Sequence, residues 1–259
     1  MPDLPGFTVE VLPQVDSTNT ELMRRAKAGQ LEPILLVAEQ QTAGRGRLGR
    51  QWHSEAAGVP SLTFSLGLPL SPQSWSGLSL AVGVSVAQSL HPDLRLKWPN
   101  DIWFQMRKLG GILIETASFG DIRYVVIGVG INIALRDAAG LSTPPAGLHE
   151  VQPGMDAPLA LQRVVVPLVR AIQQFEVQGF APFQARFNAL DALAGCTVSL
   201  SGGVQGVEGV EGTEGVAGLA QGVDETGALL LHTAQGLRKI TGSEVSVRPA
   251  PFAPSATPA

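Results

Sequence analysis

The pattern of hydrophobic and polar positions over roughly the first 190 residues predicts strands and helices in mixed order. Alternating positions and short apolar runs of strand length predict strands at residues 7–12, 34–38, 61–68, 95–97, 108–115 and 123–133. Helical spacing predicts helices that begin near Thr18 and that cover residues 75–90, about 158–179 and a following stretch to Leu193. Because strands and helices do not alternate strictly, the order favours an α+β fold over a doubly wound parallel sheet.

Two local patterns within these elements give sharper expectations. Thr18 and Glu21 fit a capping box, in which a hydroxyl and a carboxylate satisfy free amides at a helix start. Leu62, Phe64 and Leu66 alternate with smaller residues, which predicts a strand that buries one face only.

The pattern changes near Gly195, where five short strands are separated by glycine-rich turns. Such spacing predicts a small antiparallel barrel. We therefore predict a large domain over residues 1–194, a small domain over 195–249 and a disordered Pro/Ala-rich tail over 250–259. Residues 202–214 of the small domain, rich in glycine and glutamate, are expected to form a flexible acidic hairpin extension.

Composition and charge narrow the class of protein. The 259 residues include 18 Lys and Arg against 22 Asp and Glu, for a net charge of -4, which weighs against a nucleic-acid partner. The single cysteine, Cys196, fits a reducing compartment. The N-terminus shows no secretory signal and no apolar run approaches a membrane span, so we expect a cytoplasmic protein without a membrane partner.

The stretch "TAGRGRLGR", residues 42–50, is the one dense basic cluster. It does not end in the Gly-Lys-Ser/Thr of a phosphate-binding P-loop. Its Gly44, Gly46 and Gly49 have dinucleotide-loop spacing, but no acidic residue follows about 20 positions later in a βαβ setting. Two interpretations stay open, a solvated arginine loop and a flexible loop whose guanidinium groups fork onto phosphate or carboxylate oxygens.

A second polar cluster is encoded by "KWPND" and "RKLGG". Lys97 lies on a predicted strand, Asn100 and Asp101 in a polar turn, and Lys108 just before Gly110 and Gly111. The lysines and the carboxylate could form only an ion-pair cluster, or they could be a Mg²⁺ ligand with phosphate-neutralising cations. In "GVGIN", alternating glycines leave a groove beside an asparagine whose amide can pair with a base edge.

Taken together, "DSTN", "AGRGRLGR", "KWPND", "RKLGGILIE" and "VIGVGINI" resemble the biotin–protein ligase family in order and spacing. The resemblance extends through "GVDETGALLL" and "GSEVSVR" and covers about residues 7–248. It implies a mixed-sheet catalytic core of the class II synthetase type followed by an SH3-like barrel. It also implies that biotin is activated by ATP as biotinyl-5′-AMP and then transferred to a lysine of a biotin carrier domain.

The resemblance also implies roles for residues of the quoted motifs. The catalytic residues are Lys108, Arg45 and Asp101. Biotin is bound by Ser17, Thr18, Asn19, Gln41, Gly44, Arg45, Arg47, Lys108, Gly111, Leu113, Gly128 and Gly130. ATP is bound by Arg45, Arg47, Arg50, Trp52, Asn100, Lys108, Asn132, Glu244 and Arg248. Asp101 serves either Mg²⁺ or the acceptor lysine, and Arg136 and Arg163 are placed outside the site.

Three further expectations complete the hypothesis. ATP and Mg²⁺ are needed for activation, and a homodimer is expected because family members often pair side by side through their sheets. Only 16 residues precede "STN", so we expect a ligase without a DNA-binding repressor module. The alternatives are a ligase for lipoate or another acyl group, and a non-catalytic module that binds a ligand or nucleic acid.

Overall fold

A computed structural model describes residues 4–52, 60–138, 141, 143–201, 216–241 and 246–249. Three predictions lie outside the described residues: the flexible extension over 202–214, the disordered tail over 250–259 and the nucleotide contact of Glu244.

A seven-stranded sheet forms the centre of the larger part of the chain. Its strands are β1 (Thr8–Val15), β2 (Ile34–Gln41), β3 (Ser61–Pro69), β4 (Arg95–Lys97), β5 (Asp101–Phe104), β6 (Arg107–Phe119) and β7 (Ile122–Asn132). They are ordered β1-β2-β3-β7-β6-β5-β4. The pair β1–β2 is parallel and the remaining neighbours are antiparallel, so the predicted mixed sheet is confirmed.

Helices cover both faces of this sheet. The helices are α1 (Thr18–Lys27), α2 (Leu78–Leu90), α3 (Leu148–Val151), α4 (Ala157–Gln178) and α5 (Gln184–Leu190). On one face, Leu22 and Ala26 of α1 pack with Leu36, Tyr124 and Val126. The apolar faces of α2 and α4 belong to the larger core on the other side.

Strand β3 is buried on both faces, so the prediction of a half-buried strand is wrong. Phe64 and Ser65 are both 0% exposed although they point to opposite sides of the sheet. The reason is the double helical cover, which makes even the polar face of this central strand part of the interior.

The first helix begins one residue earlier than the capping-box pattern predicts. Ser17 is the N-cap, with its side chain accepting a hydrogen bond from the Thr20 amide. Thr18 is thereby the first helical residue, and its hydroxyl is free to contact the sheet instead of capping the helix.

The second sheet contains five antiparallel strands. They are β8 (Thr197–Ser201), β9 (Ala217–Val223), β10 (Leu229–Thr233), β11 (Gly236–Ile240) and β12 (Ser246–Pro249), in the order β11-β10-β9-β8-β12. Closure into a barrel and the domain boundary at residue 195 stay predictions. The turn between β9 and β10 contacts the larger part of the chain, since Trp98 Nε1 donates to the Gly227 carbonyl at 3.0 Å and Ser76 Oγ to the Thr226 carbonyl at 2.7 Å.

Crossing a bilayer requires a helix that is both long enough and apolar enough. By these two properties alone, length and apolarity, none of the helices in the described ranges is able to cross.

Asp191 follows the last residue of α5 and lies beside strand β4. It pairs with Leu96, its Oδ1 accepts a hydrogen bond from the Leu193 amide at 2.9 Å, and its Oδ2 is buried without a hydrogen-bond partner. Burial raises the pKa of Asp191 to about 6, although the Leu193 amide opposes the shift. The folded state therefore favours the protonated carboxyl.

We expect Asp191→Asn to stabilise the protein at neutral pH but not near pH 4. Because the folded pKa lies above the unfolded value, stability from this group is present below about pH 4 and lost as the pH rises through about 6. The advantage of the variant should reach roughly 1–3 kcal/mol above pH 7. Thermal melts of both proteins at pH 4.5 and 7.5 measure it, and an equal difference in melting temperature at the two pH values would contradict the assignment.

Candidate active site

Residues from four neighbouring strands form one row across the sheet. The strand register aligns Thr63 of β3 with Gly130 of β7, Gly130 with Gly111 of β6, and Gly111 with Asp101 of β5. Leu113 and Gly128 pair in the adjacent row on the same face. The sheet thus brings together the "KWPND", "RKLGGILIE" and "VIGVGINI" motifs, which are separate in sequence.

A carboxylate between two lysines lies at the β5 end of this row. Asp101 Oδ1 is 2.6 Å from Lys108 Nζ, and its Oδ2 is 3.5 Å from Lys97 Nζ. Burial alone would raise the pKa of Asp101, but the two ammonium groups outweigh it and hold that pKa below its usual value. Burial lowers the pKa of Lys97, with Asp101 opposing that shift. Asp101 opens strand β5 instead of lying in the turn, and so the structure corrects that placement.

The two lysines differ in what they can reach. The side chain of Lys97 is 10% exposed and its Nζ lies 5.2 Å from the centre of the Trp103 ring. The side chain of Lys108 is 32% exposed. Lys108 is therefore the lysine of the cluster that can contact a bound ligand. Lys97 is the buried lysine that pairs with the other oxygen of Asp101.

The glycine-arginine stretch folds into a tight hairpin. The Trp52 amide donates to the Gly44 carbonyl at 2.8 Å, and the Gly46 amide donates to the Arg50 carbonyl at 2.7 Å. A Cβ atom at Gly44 would collide with the Trp52 carbonyl oxygen, so this position requires glycine.

Each arginine of the hairpin contacts a different element. Arg45 Nη1 is 2.9 Å from Glu115 Oε1 on β6, and Arg47 Nη1 donates to Asn100 Oδ1 at 3.0 Å. Arg50 Nη2 donates to Ser246 Oγ on β12 at 3.4 Å. Burial lowers the pKa of Arg47. The loop therefore extends from the seven-stranded sheet to the five-stranded sheet, and Arg47 lies at the Asp101 end of the row.

The "STN" residues form a buried polar network at the start of α1. The Thr18 amide donates to Gln41 Oε1 at 2.7 Å, and Ser65 Oγ is 2.7 Å from Thr18 Oγ1. Ser65 also donates to Asn19 Oδ1 at 2.6 Å, while Asn19 Nδ2 donates to Glu115 Oε2 at 2.9 Å. Since Glu115 contacts Arg45, this network connects the helix start to the arginine loop.

Ser65 and Glu115 are site residues that sequence reasoning missed. Glu115 continues the period-2 alternation of Gly111 and Leu113, so the strand pattern could have placed it on the same face. Ser65 gave no such signal, because its burial follows from the helical cover of β3.

We expect Gly128→Ala to weaken biotin binding at least about 10-fold. The new Cβ would collide with Asn19 Oδ1, whose side chain is held by Ser65, Glu115 and the Leu113 carbonyl. Overpacking of this kind typically lowers the free energy of unfolding by about 1–3 kcal/mol. Calorimetric titration with biotin measures the loss of affinity, and thermal melts measure the destabilisation.

As a matched control, Gly128→Ala is also introduced into a protein that carries Asn19→Ala, and the double variant is compared with Asn19→Ala alone. The alanine at position 128 should then lower the melting temperature much less, because its collision partner is gone. An equal drop in both backgrounds would mean that the Gly128–Asn19 contact is not the cause.

Trp52 lies over the glycines of the row, and Asn132 lies two residues beyond Gly130 on β7. A Cβ atom at Gly130 would collide with the Trp52 ring, and one at Gly111 would lie 3.8 Å from Trp52 Cζ3 and 3.4 Å from Lys108 Nζ. The Trp52 ring thus covers the floor that the glycines form. Asn132 is 5% exposed, and its Nδ2 donates to the carbonyls of Lys108 at 3.3 Å and of Ala146 at 3.1 Å. Its adenine contact stays a prediction, since the amide donor here braces the start of β6.

Two further arginines, Arg248 and Arg136, lie near residues of the candidate site. Arg248 is exposed on β12, two residues from the Ser246 that Arg50 contacts, and its nucleotide role stays a prediction. Arg136, which was placed outside the site, lies with its Cζ 5.7 Å from the centre of the Trp52 ring. The structure corrects that placement, because Arg136 contacts a residue of the site.

Comparison with known proteins agrees with this geometry. Residues 11–132 match the model of the Biotin/lipoate A/B protein ligase family, and residues 205–248 match the Biotin protein ligase C terminal domain. The chain is 35% identical over 255 residues to the bifunctional ligase/repressor BirA of Escherichia coli, covering 95% of this chain and 76% of that protein.

The chain belongs to the biotin protein ligase family. A biotin--[acetyl-CoA-carboxylase] ligase of Paracoccus denitrificans is 30% identical, with 91% of this chain and 98% of that protein covered. A solved biotin protein ligase from Aquifex aeolicus, in complex with biotin and ATP, superposes with a TM-score of 0.75 at 29% identity, covering 93% of this chain and 99% of that one. The biotin protein ligase fold, with its mixed sheet and helices, is therefore the fold of this protein.

Proposed function

We propose that this protein is an ATP-dependent biotin–protein ligase. It forms biotinyl-5′-AMP from biotin and ATP and transfers the biotinyl group to a lysine of a biotin carrier domain. The observation that carries the proposal is the meeting of three motifs at one end of the sheet. There Arg47 contacts Asn100 at 3.0 Å and Lys108 contacts Asp101 at 2.6 Å.

The first step brings two anions together. A carboxylate oxygen of biotin attacks the α-phosphorus of ATP, the bond to the β-phosphate oxygen breaks, and pyrophosphate leaves. Cations between the reactants lower the barrier, because charge develops on the phosphoryl oxygens in the transition state. Lys108 and the hairpin arginines Arg45 and Arg47 supply these cations.

The second step is an acyl transfer to an amine. The acceptor nitrogen attacks the acyl carbon as a free amine, the acyl–oxygen bond to AMP breaks, and AMP leaves as the phosphate anion. The two protons that the acceptor ammonium loses on becoming an amide go to solvent. Asp101 has a pKa below its usual value and so has little affinity for a proton. We therefore do not assign it the role of a strong base, and its ion pairs with Lys108 and Lys97 make it the group that holds Lys108 in place.

A Mg²⁺ ligand role for Asp101 does not fit its surroundings. Both carboxylate oxygens already face ammonium groups, at 2.6 and 3.5 Å. Among the described residues, no group of three or more His, Cys, Asp or Glu side chains is arranged to hold a metal ion. We propose that Mg²⁺ enters with the nucleotide as Mg-ATP, and no step depends on a metal held by the protein.

Isotope exchange between pyrophosphate and ATP tests the activation step. We expect exchange with biotin and none above background with lipoate or octanoate. Exchange that depends on lipoate instead would favour the lipoate branch of the family, which the matched family model also includes. Sedimentation of the protein with and without biotinyl-AMP tests the proposed homodimer.

A further inference from the structure

Three buried hydrogen-bond donors on two adjacent side chains lack acceptors. They are Trp52 Nε1, Arg136 Nε and Arg136 Nη2, none of which has a hydrogen-bond partner among the described residues. Buried N–H groups are nearly always paired, since an unmade bond costs the desolvation of the donor. Such a cluster points to an acceptor that arrives with a ligand.

These donors lie next to the row of glycines and Lys108, where the proposed reaction takes place. The Trp52 ring lies over Gly130 and within reach of Gly111, beside which Lys108 Nζ is found. Arg136 lies over the same ring, four residues beyond Asn132, the last residue of β7. The donors therefore border the row of residues that the proposed reaction uses.

The unpaired atoms of Arg136 form one edge of its guanidinium group. Nε–H and Nη2–H point in nearly parallel directions, and this fork matches two oxygens of a phosphate or carboxylate. Burial lowers the pKa of Arg136. An anion that entered here would thus meet a desolvated cation that no carboxylate of the described chain neutralises.

We propose that Arg136 binds the nucleotide, with its Nε/Nη2 fork holding two oxygens of the phosphate chain. This inference rests on the proposed function, since it assumes that ATP binds in this site. Both nitrogen atoms are shielded from solvent in the present state, and the Trp52 ring lies against the guanidinium. We expect the ring to shift as the phosphate enters, so that nucleotide binding is coupled to the end of the arginine hairpin.

The test compares Arg136→Met and Arg136→Lys with the unaltered protein. We expect Arg136→Met to raise the calorimetric Kd for ATP by about 10–100-fold, the range for one charge-assisted bidentate contact, and to change the Kd for biotin by less than about twofold. Arg136→Lys should recover part of the loss, because it keeps the charge but not the fork. Arg163→Met is the matched control, since Arg163 on α4 is exposed and contacts only Gln152 by hydrogen bond in the described structure.

The inhibition constants of AMP and adenosine, measured in competition with ATP, identify which part of the nucleotide Arg136 binds. The loss in Arg136→Met should appear with AMP and be absent with adenosine. Equal losses for both would overturn the phosphate contact in favour of an indirect effect through Trp52. ATP affinity within twofold of the unaltered protein would overturn the proposal outright.

Thermal melts separate binding from a structural role. Removing an unpaired buried cation should not lower the melting temperature of the ligand-free protein, whereas the increase caused by ATP should shrink. A lower melting temperature with an unchanged ATP increment would show that Arg136 is structural. If the unaltered protein itself shows no ATP binding and no exchange with biotin, it is the proposed function that fails.

Discussion

Replacing Lys108 by alanine is expected to slow biotinyl-adenylate formation by about 100-fold while biotin affinity stays within a few-fold. Losing one charged contact to a transition state typically costs ~3 kcal/mol, which corresponds to that factor in rate. Lys108 is the more exposed lysine of the lysine–carboxylate cluster and lies beside Gly111. Its effect should therefore fall on the chemical step rather than on binding of the first substrate.

Pyrophosphate exchange measures the rate, and calorimetric titration with biotin measures the binding. Lys108→Arg serves as the matched variant, because it retains a cation that can still pair with Asp101. Lys97→Met is a second comparison, since it removes the buried lysine behind Asp101 and leaves the cation that faces the ligand. Near-normal exchange by Lys108→Ala would remove Lys108 from the mechanism.

Trypsin is expected to cut the ligand-free protein rapidly in the 44–52 hairpin and about 100-fold more slowly with ligands at 100 times their Kd. Arg45, Leu48, Gly49 and Arg50 are all exposed, and the hairpin buries little apolar surface. Its side-chain contacts to Glu115 and Ser246 lie at exposed positions, where ion pairs and hydrogen bonds contribute little to stability. Local opening should therefore be frequent until a charged adenylate binds the arginines and favours the closed form.

Fragment masses after limited digestion identify the cleaved bonds. Arg163 on α4 and Arg238 on β11 serve as internal controls for general protection. Arg136 is not suitable for this purpose, because it contacts Trp52 and is itself expected to respond to nucleotide. Persistent cutting after Arg45 and Arg47 at saturating biotin and Mg-ATP would mean that the hairpin does not close over the intermediate.

Parts of the candidate site could be predicted from the sequence where one short motif contains both the charged side chains and the glycines that its backbone requires. Gly44 is an example, because the hairpin needs a position without a Cβ and the loop places arginines around it. The sequence also predicted the two strands that carry Gly111 and Gly130, but not the register that pairs these glycines. Such local patterns survive folding unchanged, so they could be interpreted without a structure.

Residues whose roles depend on distant neighbours could not be predicted in this way. Ser65 is buried only because helices cover both faces of the sheet, and Arg136 approaches Trp52 across 84 positions of sequence. Thr18 has the pattern of a cap but faces Gln41 and Ser65, because Ser17 takes the capping position. In each case tertiary packing decides between two uses that the local sequence permits equally.

The central claim is that this chain transfers biotin to a carrier lysine by way of an adenylate. The direct measurement is the intact mass of a biotin carrier domain after incubation with the protein, biotin and Mg-ATP. The account predicts a mass gain of one biotinyl group, mapped by fragmentation to a single lysine and absent when ATP is omitted. A carrier of unchanged mass, under conditions where the protein is folded and binds biotin, would contradict it.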